Sequence, residues 1–283
     1  MLDLAGKLYV VAGAGGGGIG TETCAMLASA GAHVLALDKT TTGCTSALAA
    51  LGGDTERHGV IQADLEHEAE LAGILAREQQ RFGPVRGLVN IVGGIPAREL
   101  VAPLLDADAL ATFEQLMHLN LIPALAASRA VAELMTAHRQ GGSIVNTASA
   151  SGHVSMAFAG GYGAAKAALM NLTRTMAVEW GRCGIRANAV SPGTIRTAKI
   201  GRDTLSTGQA DSGEEGMGVI PLNRRGLPRD VSGVILFLLS DLAAYVSGQV
   251  IGVDGGMMAR PPYNDASELP VFMVDPALRE RLT

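Results

Sequence analysis

Aromatic residues make up only 4% of this chain, and no basic block relieves its net charge of −5. A nucleic-acid surface needs rings on which bases stack, or a concentrated positive face for phosphates, so no nucleic-acid partner is expected. Cysteine is scarce too: Cys24, Cys44 and Cys183 are an odd, scattered set, with no Cys-x-x-Cys and no His-Glu-x-x-His. Such a set builds neither a disulfide framework nor a zinc site. No metal is therefore expected, and reduced thiols point to the cytoplasm. No apolar run approaches the ~18 residues of a membrane span. The first residues, Asp3 among them, lack the basic leader of a signal peptide.

What the chain does hold is glycine, 37 residues in a total of 283, with 48% hydrophobic and 17% charged residues. That is ample for one large core, so one α/β domain over 1–258 is expected, with an extension at 259–283. Residues 7–12 are an apolar run entering Gly13-Ala14-Gly15-Gly16-Gly17-Gly18-Ile19-Gly20. A helix at 21–30 ends at Gly31, and a second apolar run at 33–37 stops at Asp38. Strand, glycine turn, helix, strand and acid form the plan of a dinucleotide-binding unit. Glycines let backbone approach a pyrophosphate, and a helix amino terminus offers free N–H groups and partial positive charge. A carboxylate at Asp38 can accept hydrogen bonds from an adenosine ribose but meets a 2′-phosphate as like charge. NAD is therefore expected as the cofactor, with Lys39 turned outward into solvent.

The alternation continues. Strands are expected at 59–63, ending at Asp64; at 87–92, with Asn90 and Gly93-Gly94 at its exit; and at 143–147, 186–191 and 249–253. Helices are expected at 66–82, within 107–139 with a break near Pro103 or Pro123, at 164–180 and at 231–239. The polar, glycine-rich stretch at about 198–220 reads as a mobile substrate loop. This order specifies a doubly wound parallel sheet with helices on both faces.

Residues 142–166 bring the chemistry. Ser149 follows the fifth strand, and Tyr162 and Lys166 stand at the i, i+4 spacing that places both on one face of a helix start. A phenol keeps its proton to pH ~10, and a neighbouring ammonium lowers that value. Tyr162 with Lys166 is thus an acid/base pair in outline, although an ordinary surface helix with a tyrosine at its start has the same spacing.

These motifs, taken in order, resemble the short-chain dehydrogenase/reductase family over roughly residues 5–257. The resemblance rests on the glycine loop, Asp64, Asn90-Ile91-Val92-Gly93, Asn120, Ser149, Tyr162, Lys166, Pro192-Gly193, Thr197 and Val253-Asp254-Gly255-Gly256. It implies a Rossmann-like fold and hydride exchange between the cofactor and a secondary alcohol or ketone. Tyr162 would exchange the proton, Lys166 would lower the tyrosine pKa and bond the nicotinamide ribose, and Ser149 would polarise the substrate. Asn120 would hold a water relaying protons from Lys166. Gly13, Gly18, Ile19, Gly20, Asp38, Asp64, Leu65, Asn90, Gly93, Pro192, Gly193, Ile195 and Thr197 would line the cofactor.

Two features depart from the family pattern: four residues rather than three separate Gly13 from Gly18, and Ile91 replaces the second asparagine. The resemblance also implies a homo-oligomer, a tetramer by preference, formed by helices carrying Ala126, Ala127, Ala130, Ala164, Ala167 and Ala168. His153, Met156 and Phe158 are candidates for the substrate pocket, with loop and core roles as the alternatives. Two further readings stand beside the dehydrogenase: an NADPH-dependent 3-oxoacyl reductase, and a nucleotide-binding protein without activity.

Overall fold

Seven strands form one sheet in the order β3-β2-β1-β4-β5-β6-β7, every neighbouring pair parallel. The strands are β1 Leu8–Ala12, β2 His33–Asp38, β3 His58–Gln62, β4 Val85–Asn90, β5 Gly142–Thr147, β6 Ile185–Pro192 and β7 Val250–Val253. The helices are α1 Ile19–Ser29, α2 Thr41–Ala50, α3 Glu68–Phe82, α4 Ala109–His138, α5 Gly160–Trp180 and α6 Pro228–Leu239. The computed structural model describes residues 2–96, 100–197 and 220–259. The expected loop at about 198–220 and the extension at 259–283 lie outside the described residues, apart from Ile220 and Ala259. Among the described residues no helix is long and apolar enough to cross a membrane.

Both faces of the sheet are buried, so its strands are near-continuous apolar runs. Val34 and Ala36 of β2 pack with α1, α2 and α6, while Leu35 and Leu37 between them pack with α3 and α4. Period two thus feeds two cores at once. Ala126 and Ala127, two of the alanines expected at a subunit contact, are buried in the monomer.

Helix α2 was not expected from the sequence. Thr40 caps it, its side-chain oxygen accepting from the Gly43 N–H at 3.0 Å, and Ala47 seats it on the core. The expected break in α4 is also absent: the helix runs through Pro123. Pro123 supplies no N–H to the Leu119 carbonyl, a local cost of about 3 kcal/mol. The packing of Leu116, Ala124, Ala127, Val131 and Met135 on the sheet and α5 outweighs it.

Candidate active site

The strand order reverses once, between β1 and β4, and a groove of about 510 Å³ opens beyond the carboxyl ends of these strands. Such a switch point is where doubly wound sheets bind ligands. The glycine loop forms one wall. Gly13 and Gly16 adopt φ of 80° and 86°, a left-handed conformation that a Cβ disfavours. At Gly15 a Cβ would collide with the backbone of Gly43, so α2 packs directly on the loop. Gly18 caps α1 without a side chain, leaving the first-turn N–H groups of the helix for a ligand. Ile19 and Gly20 also line the groove, and Thr197 lies across from Gly18. This cradle fits a pyrophosphate.

Asp38 stands at the adenosine end with its carboxylate fixed on three sides. Oδ1 accepts from the Thr40 N–H and the Thr40 hydroxyl, both at 2.9 Å, and Oδ2 accepts from the Gly15 N–H at 2.9 Å. Lys39 is solvated as expected, but it is not turned away: its Nζ lies 2.7 Å from Asp64 Oδ2. The bond to Asp64 raises the Lys39 pKa, and the same bond holds the Asp64 carboxyl below its ordinary value. Leu65 follows as a buried wall residue.

Other expected cofactor residues have partners within the protein. Asn90 is 1% exposed and donates to Ser128 Oγ at 2.9 Å and Asn146 Oδ1 at 2.8 Å. Its amide nitrogen ties β4 to α4 and β5, while its Oδ1 has no partner among the described residues. The strand instead presents Ile91, Val92, Gly93 and Gly94 to the groove. Past the end of β6, Gly193 packs on Asp254, and Ile195 is bridged to Gly226.

The Ser149, Tyr162 and Lys166 side chains converge beyond β5. Ser149 ends the strand and caps the short turn Ala150–Gly152, its hydroxyl accepting from the Ser151 N–H at 3.2 Å. Tyr162 sits in the first turn of α5, with its phenol near enough to Ser149 for that hydroxyl to act on its pKa. Burial raises the phenol pKa, and the Ser149 hydroxyl opposes that rise. Lys166 lies beneath the same pair, with the Thr147 carbonyl as its hydrogen-bond partner: its Nζ donates to that oxygen at 2.8 Å and lies 5.7 Å from the Tyr162 ring centroid. Burial pushes the ammonium down from its ordinary 10.5 to about 8. The strand-end carbonyl is the acceptor within reach of a lysine with no exposed route.

Asn120 is anchored on the same strand exit. Its amide donates to Gly94 O at 3.0 Å and Leu116 O at 2.9 Å, and its Oδ1 accepts from the Gly94 N–H at 2.6 Å. Both donors of the side chain are used, so it clamps the glycine exit of β4. His153, Met156 and Phe158 lie on the exposed loop between β5 and α5, Met156 at 45% and Phe158 at 58% exposure. The core alternative for the latter two is excluded. Cys24, beside the glycine loop, is buried and its thiol is pushed up to about 12, which leaves it inert.

Sequence reasoning missed Thr40, Gly43 and the Thr147 carbonyl. Only Thr40, a helix-capping residue just past the strand-end acid, left a readable signal.

Comparison with known proteins follows this geometry. The profile of a family described as enoyl-(acyl carrier protein) reductase matches residues 13–258. The 2-(S)-hydroxypropyl-CoM dehydrogenase 3 of Xanthobacter autotrophicus is 34% identical over 258 residues, covering 89% of this chain and 98% of that protein. The galactitol 2-dehydrogenase (L-tagatose-forming) of Cereibacter sphaeroides is 36% identical over 258 residues, covering 89% and 95%. Among solved structures, a short-chain type dehydrogenase/reductase from Mycobacterium ulcerans superposes with a TM-score of 0.79 at 29% identity, covering 98% of this chain and 96% of that one.

Proposed function

The chain belongs to the short-chain dehydrogenase/reductase family and is an oxidoreductase that moves hydride between a nicotinamide nucleotide and a secondary alcohol or ketone, and from that premise we propose that it uses NAD, with Tyr162 as the proton-exchanging group. The observation that carries the assignment of Tyr162 is its place at the start of α5 beside Ser149 at the end of β5, with Lys166 Nζ 5.7 Å from its ring centroid, one strand over from the Gly93-Gly94 wall of the groove. The NAD reading rests on the Asp38 carboxylate in that same groove.

The bound nicotinamide supplies the hydride acceptor or donor. The chain supplies position and proton. Ser149 donates a hydrogen bond to the substrate oxygen, which holds the carbinol carbon for transfer. In the reducing direction Tyr162 gives its proton to the developing alkoxide, and a raised phenol pKa keeps that proton in place beforehand. In the oxidising direction Tyr162 acts from its phenolate form, having given up its own proton first, and takes the hydroxyl proton. Lys166, whose ammonium titrates at about 8, is the nearby group able to exchange a proton in the working pH range. Asn120 keeps the glycine exit of β4 in register with the groove.

Three free thiols fit a cytoplasmic location. We extend the reading to a homo-oligomer, tetrameric by preference, in which α5 contributes its exposed Ala167 and Val178 to a subunit contact. Turnover of a panel of secondary alcohols and ketones with NAD(H), followed by the absorbance of the reduced nicotinamide, tests the activity. Dinucleotide binding with no turnover on any member would overturn it. A stable monomer at micromolar concentration in light scattering would overturn the assembly.

A further inference from the structure

At the end of the sheet opposite the groove, where β1, β4, β5 and β6 begin, lies a polar cavity of about 380 Å³ that the reaction does not use. Tyr9 forms part of its wall. The residue is 2% exposed, and its hydroxyl, which bonds to nothing among the described residues, is not sealed away but keeps access to solvent. The ring lies flat across β4 because position 87 is glycine: a Cβ there would come within 2.6 Å of Tyr9 Cδ1. Burial pushes the phenol up to about 12, so it remains a neutral donor.

The charges around this hydroxyl do not cancel. Lys7 is balanced by Asp3 at 2.8 Å and Asp241 at 3.8 Å. Arg86 and Arg186 have no carboxylate within ion-pair distance among the described residues. Arg186 is spent on the end of α6, donating to Leu238 O at 2.8 Å and Ser240 O at 3.1 Å. Arg86 uses Nη1 alone, donating to the Gln140 carbonyl at 2.9 Å and side chain at 3.0 Å. Arg86 and Tyr9 both line the cavity, and the other N–H groups of Arg86 donate to nothing among the described residues. A guanidinium and a neutral O–H donor are the pair that recognises an oxyanion.

We propose that this cavity is a second binding site, in which Arg86 and Tyr9 hold the oxyanion group of a small molecule, a phosphate or a carboxylate. Arg186 adds field without giving up its bonds to α6, and Gly87 lets Tyr9 lie in place. The site is separate from the hydride-transfer site, so its test does not depend on turnover.

Calorimetric titration at constant ionic strength tests it, with saturating dinucleotide present so that the pyrophosphate cradle is filled. Inorganic phosphate is the probe in one arm and citrate in the other; the tighter arm identifies the anion class. Saturable binding is expected in at least one arm, weakened roughly tenfold or more by Arg86→Gln and by a smaller factor by Tyr9→Phe. Circular dichroism and Tm without anion establish that each variant is folded; if Tyr9→Phe is not, Arg86→Gln decides alone. No saturable binding in either arm, or equal affinity in folded Arg86→Gln, overturns the proposal.

Discussion

Replacing Asp38 by alanine tests cofactor choice at the residue to which it is assigned. An ionised carboxylate has about four acceptor positions. Thr40 fills two on Oδ1 and the Gly15 N–H fills one on Oδ2, so a single position on Oδ2 remains for a ribose hydroxyl. One hydrogen bond to a charged acceptor contributes about 1.5–3 kcal/mol. A 2′-phosphate would face the same carboxylate as like charge, at about 4 kcal/mol for unit charges ~4 Å apart and an effective dielectric of ~20. The groove is open to water and salt, which brings the preference for NAD to roughly 100-fold, or about 2.7 kcal/mol. Lys39 is the group that could neutralise a phosphate, but it would first have to leave Asp64 at 2.7 Å. The assay is kcat/KM with NAD and NADP for the parent, Asp38→Ala and Lys39→Ala. Asp38→Ala should bring the two cofactors to within about threefold and lose roughly tenfold on NAD, the loss of one such bond. Lys39→Ala should leave the ratio unchanged. A parent that uses NADP as well as NAD refutes the reasoning, and so does an Asp38→Ala variant with unchanged discrimination.

Tyr162→Phe keeps the ring and removes the exchangeable proton, so kcat should fall by roughly two to four orders of magnitude while dinucleotide binding persists; near-normal turnover would remove Tyr162 from the chemistry. Burial of Lys166 lowers its pKa from 10.5 to about 8, so the charged form strains the fold below pH 8 and the strain fades as pH rises towards 10.5. Urea titrations should show Lys166→Met more stable than the parent at pH 7, by an amount of order 3 kcal/mol that shrinks across that window; a pH-independent difference would contradict the burial argument. Gly73 lies inside α3, and a methyl group added there would meet nothing within 4 Å, so Gly73→Ala should stabilise by about 0.5–1 kcal/mol, read from the denaturation midpoint. A lower midpoint would mean that the position is not open.

The strand-and-helix alternation was legible because two buried faces force long apolar runs, and the glycine loop because close backbone approach admits little else. Helix α2 was not, since Thr41, Thr42, Gly43 and Thr45 are poor helix formers and its stability comes from the Thr40 cap and the core beneath Ala47. The start of α5 lies four residues before the expected 164. At Gly161 a Cβ would lie 2.8 Å from the Phe113 carbonyl, so glycine there permits α4 and α5 to touch. At the site, the residue types and order were readable, but the partners were not. Asn90, Asn120 and Lys166 each had several acceptors within reach along the chain, and burial selected among them.

The strand order has a consequence for how the molecule comes into being. Every neighbouring pair in the sheet is consecutive in the chain except β1 with β4. The residues before α3 can build outward from β1, and those from Val85 onward can build outward from β4, each strand pairing with the one next to it in the chain. The seam between them closes only by the longer-range pairing of Leu8 with Val85 through Ala12 with Asn90. During synthesis the apolar flank of β1 therefore waits, unpaired, until β4 has emerged. The groove straddles that seam, with the glycine loop on one side and Gly93-Gly94 on the other. It is the part of the architecture that neither half can assemble alone, and a dinucleotide lying in it grips both halves across their junction.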